Sequence, residues 1–302
     1  MNLLRKLLGL SRFPHSLLDV ALPAFCALAW LGTFPSMRVT LLGLLTATSA
    51  YLAIYAMNDL IDCYTDREKE SLTPKANHEG YIDALLTIHP LAKGQLSFKA
   101  SFFWVFGLLL IALVGAYALN PFTIWILAFG AICEISYCLL FKKSALRIIL
   151  SGIVKSCGPI ASIYAVDSTP NPTLLLLLFL SIFLWEIGGQ NIPADWVDIA
   201  QDRAVHAKTF PIQYGLKTAG IIIFGSLSLS ILVTLGFLTS LPNAFNLFWL
   251  LIVLLSSLVI LMMPAYKLFR SGSHTAALGL FNSACYYPLW MLILTAAKIY
   301  LG

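Results

Sequence analysis

The chain has 302 residues, of which 59% are apolar or aromatic and only 11% charged, against roughly 25% charged in an average soluble domain. So few charges cannot supply the polar coat that a water-soluble enzyme of this size needs, which excludes that class. With a formal net charge of +5 and apolar runs recurring to its end, the chain reads as one all-α polytopic membrane domain over residues 1–302, with the lipid bilayer as its solvent and no nucleic-acid partner.

In chain order, Arg5, Lys6 and Arg12 surround a short apolar patch with no small-residue cleavage site after it, so an amphipathic interfacial helix is expected rather than a removable signal peptide. Nine candidate spans follow, each bounded by charge, Pro, Asn or Gly. They run from Leu17 to Phe34, Val39 to Met57, Ala100 to Leu119, Pro121 to Phe141, Ile148 to Val166, Thr173 to Ile192, Thr218 to Ser240, Ala244 to Tyr266 and Thr275 to Ala297. Their order puts sixteen Lys and Arg residues on the N-terminal face and only Arg38 and Lys298 on the other, with Lys155 inside a span. By the positive-inside rule the N-terminus and the two longer loops, about Asn58 to Lys99 and Pro193 to Lys217, should be cytoplasmic. A weakly amphipathic stretch at 81–88 is expected to lie along the interface. The six cysteines, Cys26, Cys63, Cys133, Cys138, Cys157 and Cys285, never form Cys-x-x-Cys and read as small packing residues.

Six of the fourteen acids form two copies of Asp-x-x-Asp-x-x-x-Asp: Asp59, Asp62 and Asp66, then Asp195, Asp198 and Asp202. On one continuous helix, positions i, i+3 and i+7 fall within an arc of about 60° at 100° per residue. Three carboxylates there repel one another unless cations neutralise them. An oxygen-only ligand set of this kind suits Mg2+, which fills its remaining positions with water and substrate phosphate. Two such triplets on one predicted face imply a diphosphate held between them, and an apolar intramembrane setting makes a prenyl diphosphate its natural owner.

These residues carry a specific likeness. The Asn58-led first motif, the second motif followed by Arg203 and Thr209, and TyrCysLeuLeuPheLysLys at 137–143 resemble the UbiA superfamily of intramembrane prenyltransferases over nearly the whole chain. The resemblance implies nine helices around a central cavity, Mg2+ at the six Asp residues, and prenyl transfer to an aromatic or other lipophilic acceptor. Asp59, Asp62, Asp198 and Asp202 are then the candidate catalytic residues, and Asn58, Tyr55, Arg67, Tyr137, Lys155, Asn191 and Arg203 the candidate substrate contacts. Two departures stand out: His89 in HisProLeuAlaLysGly replaces the family's usual Arg, and His206 stands where the family often has Gly.

Other candidates have two readings each. Lys155, charged and intramembrane, either reaches the diphosphate or pairs structurally, and Glu134 and Glu186 either contact the acceptor or pair with Lys155. Arg67 and Arg203 suit diphosphate oxygens. Tyr51 and Tyr55 offer ring faces to an allylic cation or anchor the interface. The loop from Arg67 to Gly94 is expected to act as a lid, its Arg67, Lys75 and Lys93 drawn over the diphosphate. The alternative function is a transporter using intramembrane acids. A phosphatidyl-alcohol transferase is set aside because Cys63 occupies the Gly position of that family's motif.

Overall fold

The computed structural model describes residues 2–73 and 80–301, and among these it is helical with no strand. Lys75 of the expected lid lies outside the described residues. A short amphipathic helix, α1 (Leu3–Leu10), is capped by the Asn2 side chain and leaves Leu3 and Leu4 exposed. The long helices are α2 (Phe13–Leu31), α3 (Met37–Ile61), α5 (Phe98–Leu119), α6 (Thr123–Leu139), α7 (Arg147–Val166), α8 (Pro172–Trp185), α11 (Phe210–Ser240), α12 (Leu247–Ser257) and α14 (His274–Leu301). Short helices complete the chain: α4 (Cys63–Leu72), α9 (Ile192–Val197), α10 (Ile199–Ala204) and α13 (Met263–Ser271).

Capping marks the starts of the spans. Ser36, Ser97, Asn171 and Asn246 accept backbone N–H groups of α3, α5, α8 and α12. Gly32 closes α2 and Gly272 closes α13 in the left-handed conformation, at φ 67° and 60°. Eight helical segments among the described residues are long and apolar enough to cross a membrane, two of them continuing through a π-helical turn, Pro172–Val197 and Leu247–Ser271. The fourth expected span is helical only over Thr123–Leu139, 17 residues or about 26 Å, the lower limit for crossing the hydrocarbon.

The helices form a closed ring. α2 packs on α3 and α7, α6 on α7, α7 on α8, α8 on α11, and α14 returns to α2. The main core lies between α2, α8, α11, α12 and α14, whereas Phe102, Phe103, Phe106 and Val114 of α5 are exposed on the outer surface, as lipid contact requires. In the π turn Glu186–Asn191, a Cβ on Gly188 would lie 2.9 Å from the Ile223 carbonyl oxygen, so only glycine lets this turn press against α11. All six cysteines are buried and free.

Candidate active site

Both Asp motifs sit at helix junctions. α3 ends at Ile61 and α4 starts at Cys63, so Asp62 is the hinge, at φ −85° and ψ 3°. Asp198 is the same hinge between α9 and α10, at φ −89° and ψ 9°. The single helix face expected for each triplet is therefore split. The first carboxylate belongs to a spanning segment and the third to a short helix beyond a kink, although the Asp62 and Asp198 N–H groups still bond to Asn58 and Ala194. Asp59, Asp66, Asp195 and Asp202 are buried, while Asp62 and Asp198 are half-buried.

The buried carboxylates are neutralised by basic side chains. Arg12 reaches Asp59 at 3.5 Å, and His89 bridges Asp59 and Asp66 at 3.1 and 3.0 Å. Lys69 of α4 crosses to Asp202 of α10 at 2.8 Å, joining the two motifs. Arg147 binds Asp195 at 2.7 Å and lies over the Tyr137 ring. Burial works against a charge on His89, but Asp66 and Asp59 outweigh it and raise its pKa to about 10. Burial, reinforced by Asp66 and Asp59, pushes Asp62 up to about 6, and burial also raises Asp198.

Arg67 and Arg203 do not join this cluster: both are exposed, away from the cavity wall. A residue directly after a motif Asp is turned about 100° from it on a helix, whereas Lys69, three after Asp66, shares its face. The lid pieces are also reassigned. Lys93 pairs with Glu70 at 3.2 Å, and part of the 81–88 stretch turns toward the cavity. Tyr81, Asp83 and Ile88 line the cavity, and Asp83 lies 3.6 Å from His15. His89 and His206 both adopt left-handed φ, 53° and 58°, a conformation that glycine takes without strain.

Behind the motifs a cavity of about 380 Å³ runs between α2, α3, α6 and α7. Asn58, Tyr55, Tyr137, Lys155, Asn191, Asp66 and Asp198 line it. Asn58 donates to Glu134 at 3.0 Å, and Asn191 donates to Tyr137 at 2.9 Å and to Ser151 at 3.0 Å. Lys155 pairs with Asp19 at 2.7 Å and lies 3.7 Å from Glu186, so of its two candidate acid partners Glu186 is near and Glu134 is engaged elsewhere. Tyr55 also donates to Asp19, an acid of α2 that sequence reasoning passed over together with Arg12, His15, Lys69, Asp83 and Arg147. The signal for Asp19 was present: it is a charge inside the first candidate span. Tyr51 is buried, with its hydroxyl beside Gly158, rather than at the interface.

Away from the charges, the wall is built from Gly43, Ala47, Ala50, Ala131, Gly158 and Ala161. This arm follows α3 from Asn58 back to Val39, about 28 Å of helix at 1.5 Å per residue. Its small side chains leave room for a slender apolar ligand between closely packed helices.

The UbiA prenyltransferase family model matches residues 20–294. Among solved structures, a UbiA homologue from Archaeoglobus fulgidus bound to DMAPP and Mg2+ matches with TM-score 0.70 and 17% identity, over 98% of this chain and 100% of its own. A UbiA homologue from Aeropyrum pernix K1 without ligand gives TM-score 0.69 and 17% identity, over 94% and 97% of the two chains. A structure of digeranylgeranylglyceryl phosphate synthase gives 0.67 and 17%, over 100% and 99%. None of the curated proteins matches the sequence. The family match over most of the chain and the shared fold lead to one conclusion: the chain belongs to the UbiA prenyltransferase family.

Proposed function

We propose that the protein transfers a prenyl group from a prenyl diphosphate to a lipophilic acceptor, with Mg2+ held by Asp59, Asp62, Asp66, Asp195, Asp198 and Asp202. The observation that carries the reading is the convergence of two kinked Asp motifs on the polar end of a cavity whose other arm is apolar and long. The donor set fits the ion. Asp59 and Asp195 each keep one buried carboxylate oxygen without a hydrogen bond among the described residues, and Asp59 and Asp66 bring carboxylate oxygens within 4.8 Å of one another. The A. fulgidus homologue was solved with DMAPP or GPP and Mg2+, which supports the same pairing here. Membership of a prenyltransferase family takes the place of the transporter reading.

Mg2+, when bound, supplies positive charge to the departing diphosphate. The chain's own residues do the rest. Lys69, Arg12 and His89 line the same end and offer N–H donors to diphosphate oxygens. The arm beside Gly43 and Ala47 holds the prenyl chain and excludes water, and the Tyr55 ring faces the polar end, where positive charge develops on the allylic carbon. Segment 81–89 closes the aqueous side. The N-terminus and the Asp-motif loops face the cytoplasm in this reading.

Titration of a non-hydrolysable geranylgeranyl diphosphate analogue into purified protein tests it. Binding should require Mg2+ and disappear on chelation, and binding of equal strength without divalent metal would refute the assignment of the Asp motifs.

A further inference from the structure

Three charges sit inside the membrane on three different helices: Asp19 on α2, Lys155 on α7 and Glu186 in the π turn after α8. Burying such groups is costly, and they mark ligand or ion sites more often than not. All line the cavity next to the Asp motifs, and the proposed chemistry at the diphosphate uses none of them.

Their hydrogen bonds are asymmetric. Asp19 is fully buried, and its Oδ2 takes both the Lys155 ammonium and the Tyr55 hydroxyl, while its Oδ1 has no partner among the described residues. Glu186 is 5% exposed; one oxygen accepts from Ser151 at 2.6 Å, and the other lies 3.7 Å from the Lys155 ammonium and makes no hydrogen bond among the described residues. Asn191 is 7% exposed, its amide N–H groups are given to Tyr137 and Ser151, and its carbonyl oxygen is unpaired. Of Asp19, Glu186 and Asn191 only Asn191 has side-chain donors, both are committed, and one oxygen on each of the three makes no hydrogen bond among the described residues. The nearest basic side chains already face carboxylates: Lys155 lies 2.7 Å from Asp19 and 3.7 Å from Glu186, His15 lies 3.8 Å from Asp19 and 3.6 Å from Asp83, and Arg12 turns to Asp59 at the diphosphate end.

We propose that this wall of Asp19, Glu186 and Asn191 receives an uncharged, hydroxyl-bearing acceptor, and that the protein discriminates against acceptors carrying a carboxylate or phosphate. Unpaired buried oxygens are satisfied only by a ligand that brings hydrogens. An anionic group placed here would meet two carboxylates, in a medium of low dielectric, beside basic side chains that already face acids. The hydroxyls of a neutral acceptor supply what the wall lacks and set its orientation toward the allylic carbon, while leaving the Lys155 pairing in place. The proposal rests on the prenyl-transfer reading and specifies its second substrate.

The test uses purified protein in lipid nanodiscs with Mg2+, tritiated geranylgeranyl diphosphate and two matched acceptor pairs, hydroquinone against 4-hydroxybenzoate and a dialkylglycerol against its phosphate. The neutral member of at least one pair should be prenylated with kcat/KM at least tenfold above its anionic partner. Asp19→Asn and Glu186→Gln each replace an acceptor oxygen by an N–H donor. Each should raise KM for that neutral acceptor tenfold or more, with affinity for the prenyl diphosphate analogue within twofold of the parent as the control for folding. Preference for the anionic members, product from none of the four while the diphosphate analogue binds, or unchanged KM in a folded variant would overturn the proposal. Failure of Mg2+-dependent analogue binding in the parent protein would instead strike the prenyl-transfer reading itself.

Discussion

Asp62 and Asp198 occupy equivalent hinges in the two motifs, and among the described residues neither is paired with a basic side chain in the way Asp195 and Asp202 are. Their carboxylates are the ones most free to turn toward a cation. Asp62→Ala or Asp198→Ala should lower turnover by about 100-fold or more with the thermal midpoint nearly unchanged; near-parental turnover of the double variant would count against the metal assignment. The pH dependence follows from the same cluster. Asp62, raised to about 6, is protonated below that pH and then lost as a ligand. His89, raised to about 10, keeps its proton at neutral pH, and a metal at Asp59 and Asp66 must displace that positive charge, so binding strengthens as pH rises toward 10. Mg2+ affinity measured by calorimetry should therefore climb from pH 5 to 9, and His89→Ala should flatten the part above 7; a flat profile in the parent protein would contradict both assignments. The paired, protonated His89 also adds folding stability that is complete below its unfolded pKa, near 6.5, and lost as pH passes about 10. The repeated Asp spacing was legible because it is local. Arg147 with Asp195, 48 residues apart, and Lys155 with Asp19, 136 apart, were not, since no helical periodicity links such positions.

At the scale of elements, the site depends on three interruptions of regular helix: the two Asp hinges and the π turn that carries Glu186, Gln190 and Asn191 to one wall. An inserted π residue reorients the side chains after it, and such turns recur at functional sites. Most span ends were readable to within about five residues from charge, Pro, Asn and Gly, but α11 starts at Phe210, eight residues before the expected Thr218. The hinges were not, because no Gly or Pro marks them and the Asp pattern fits an unbroken helix equally well. The seventh span shows the opposite case, where Gly215 at φ 80° breaks the first turn of α11 from the rest. The cover over the cavity is held from below by α1. A Cβ on Gly9 would lie 2.6 Å from the Thr87 carbonyl oxygen, so Gly9→Val should displace segment 81–89 and weaken binding of the prenyl diphosphate analogue several-fold without altering any lining residue. Limited proteolysis should find this segment cut faster in Gly9→Val than in the parent protein, and protected in the parent by Mg2+ with analogue. Equal cleavage rates in all three samples would show that the segment is not a cover.

At the scale of the molecule, the ring of helices encloses a cavity that is charged at one end and apolar along α3, which suits a ligand with a diphosphate head and an isoprenoid tail. The number and order of apolar runs made the class readable without coordinates, because backbone groups in lipid leave helices as the solution for such runs. Which helices face one another was not readable, and the proposed acceptor wall, drawn from α2 and the π turn and faced by Lys155 of α7, depends on that packing alone. The proposed orientation, with the N-terminus and the Asp-motif loops cytoplasmic, rests on the distribution of Lys and Arg. On a cysteine-free background, Lys143→Cys and Lys208→Cys should react with an impermeant maleimide from the cytoplasmic side and Ser168→Cys from the opposite side, and labelling of the first two from different sides would break the topology. The most direct test of the central claim is incubation of the purified protein with tritiated geranyl, farnesyl and geranylgeranyl diphosphates and a lipid extract, with and without Mg2+. The account predicts a labelled lipophilic product and released diphosphate that require Mg2+ and vanish in Asp62→Ala/Asp198→Ala; an equal yield from that variant, or no labelled product from any donor, would contradict it.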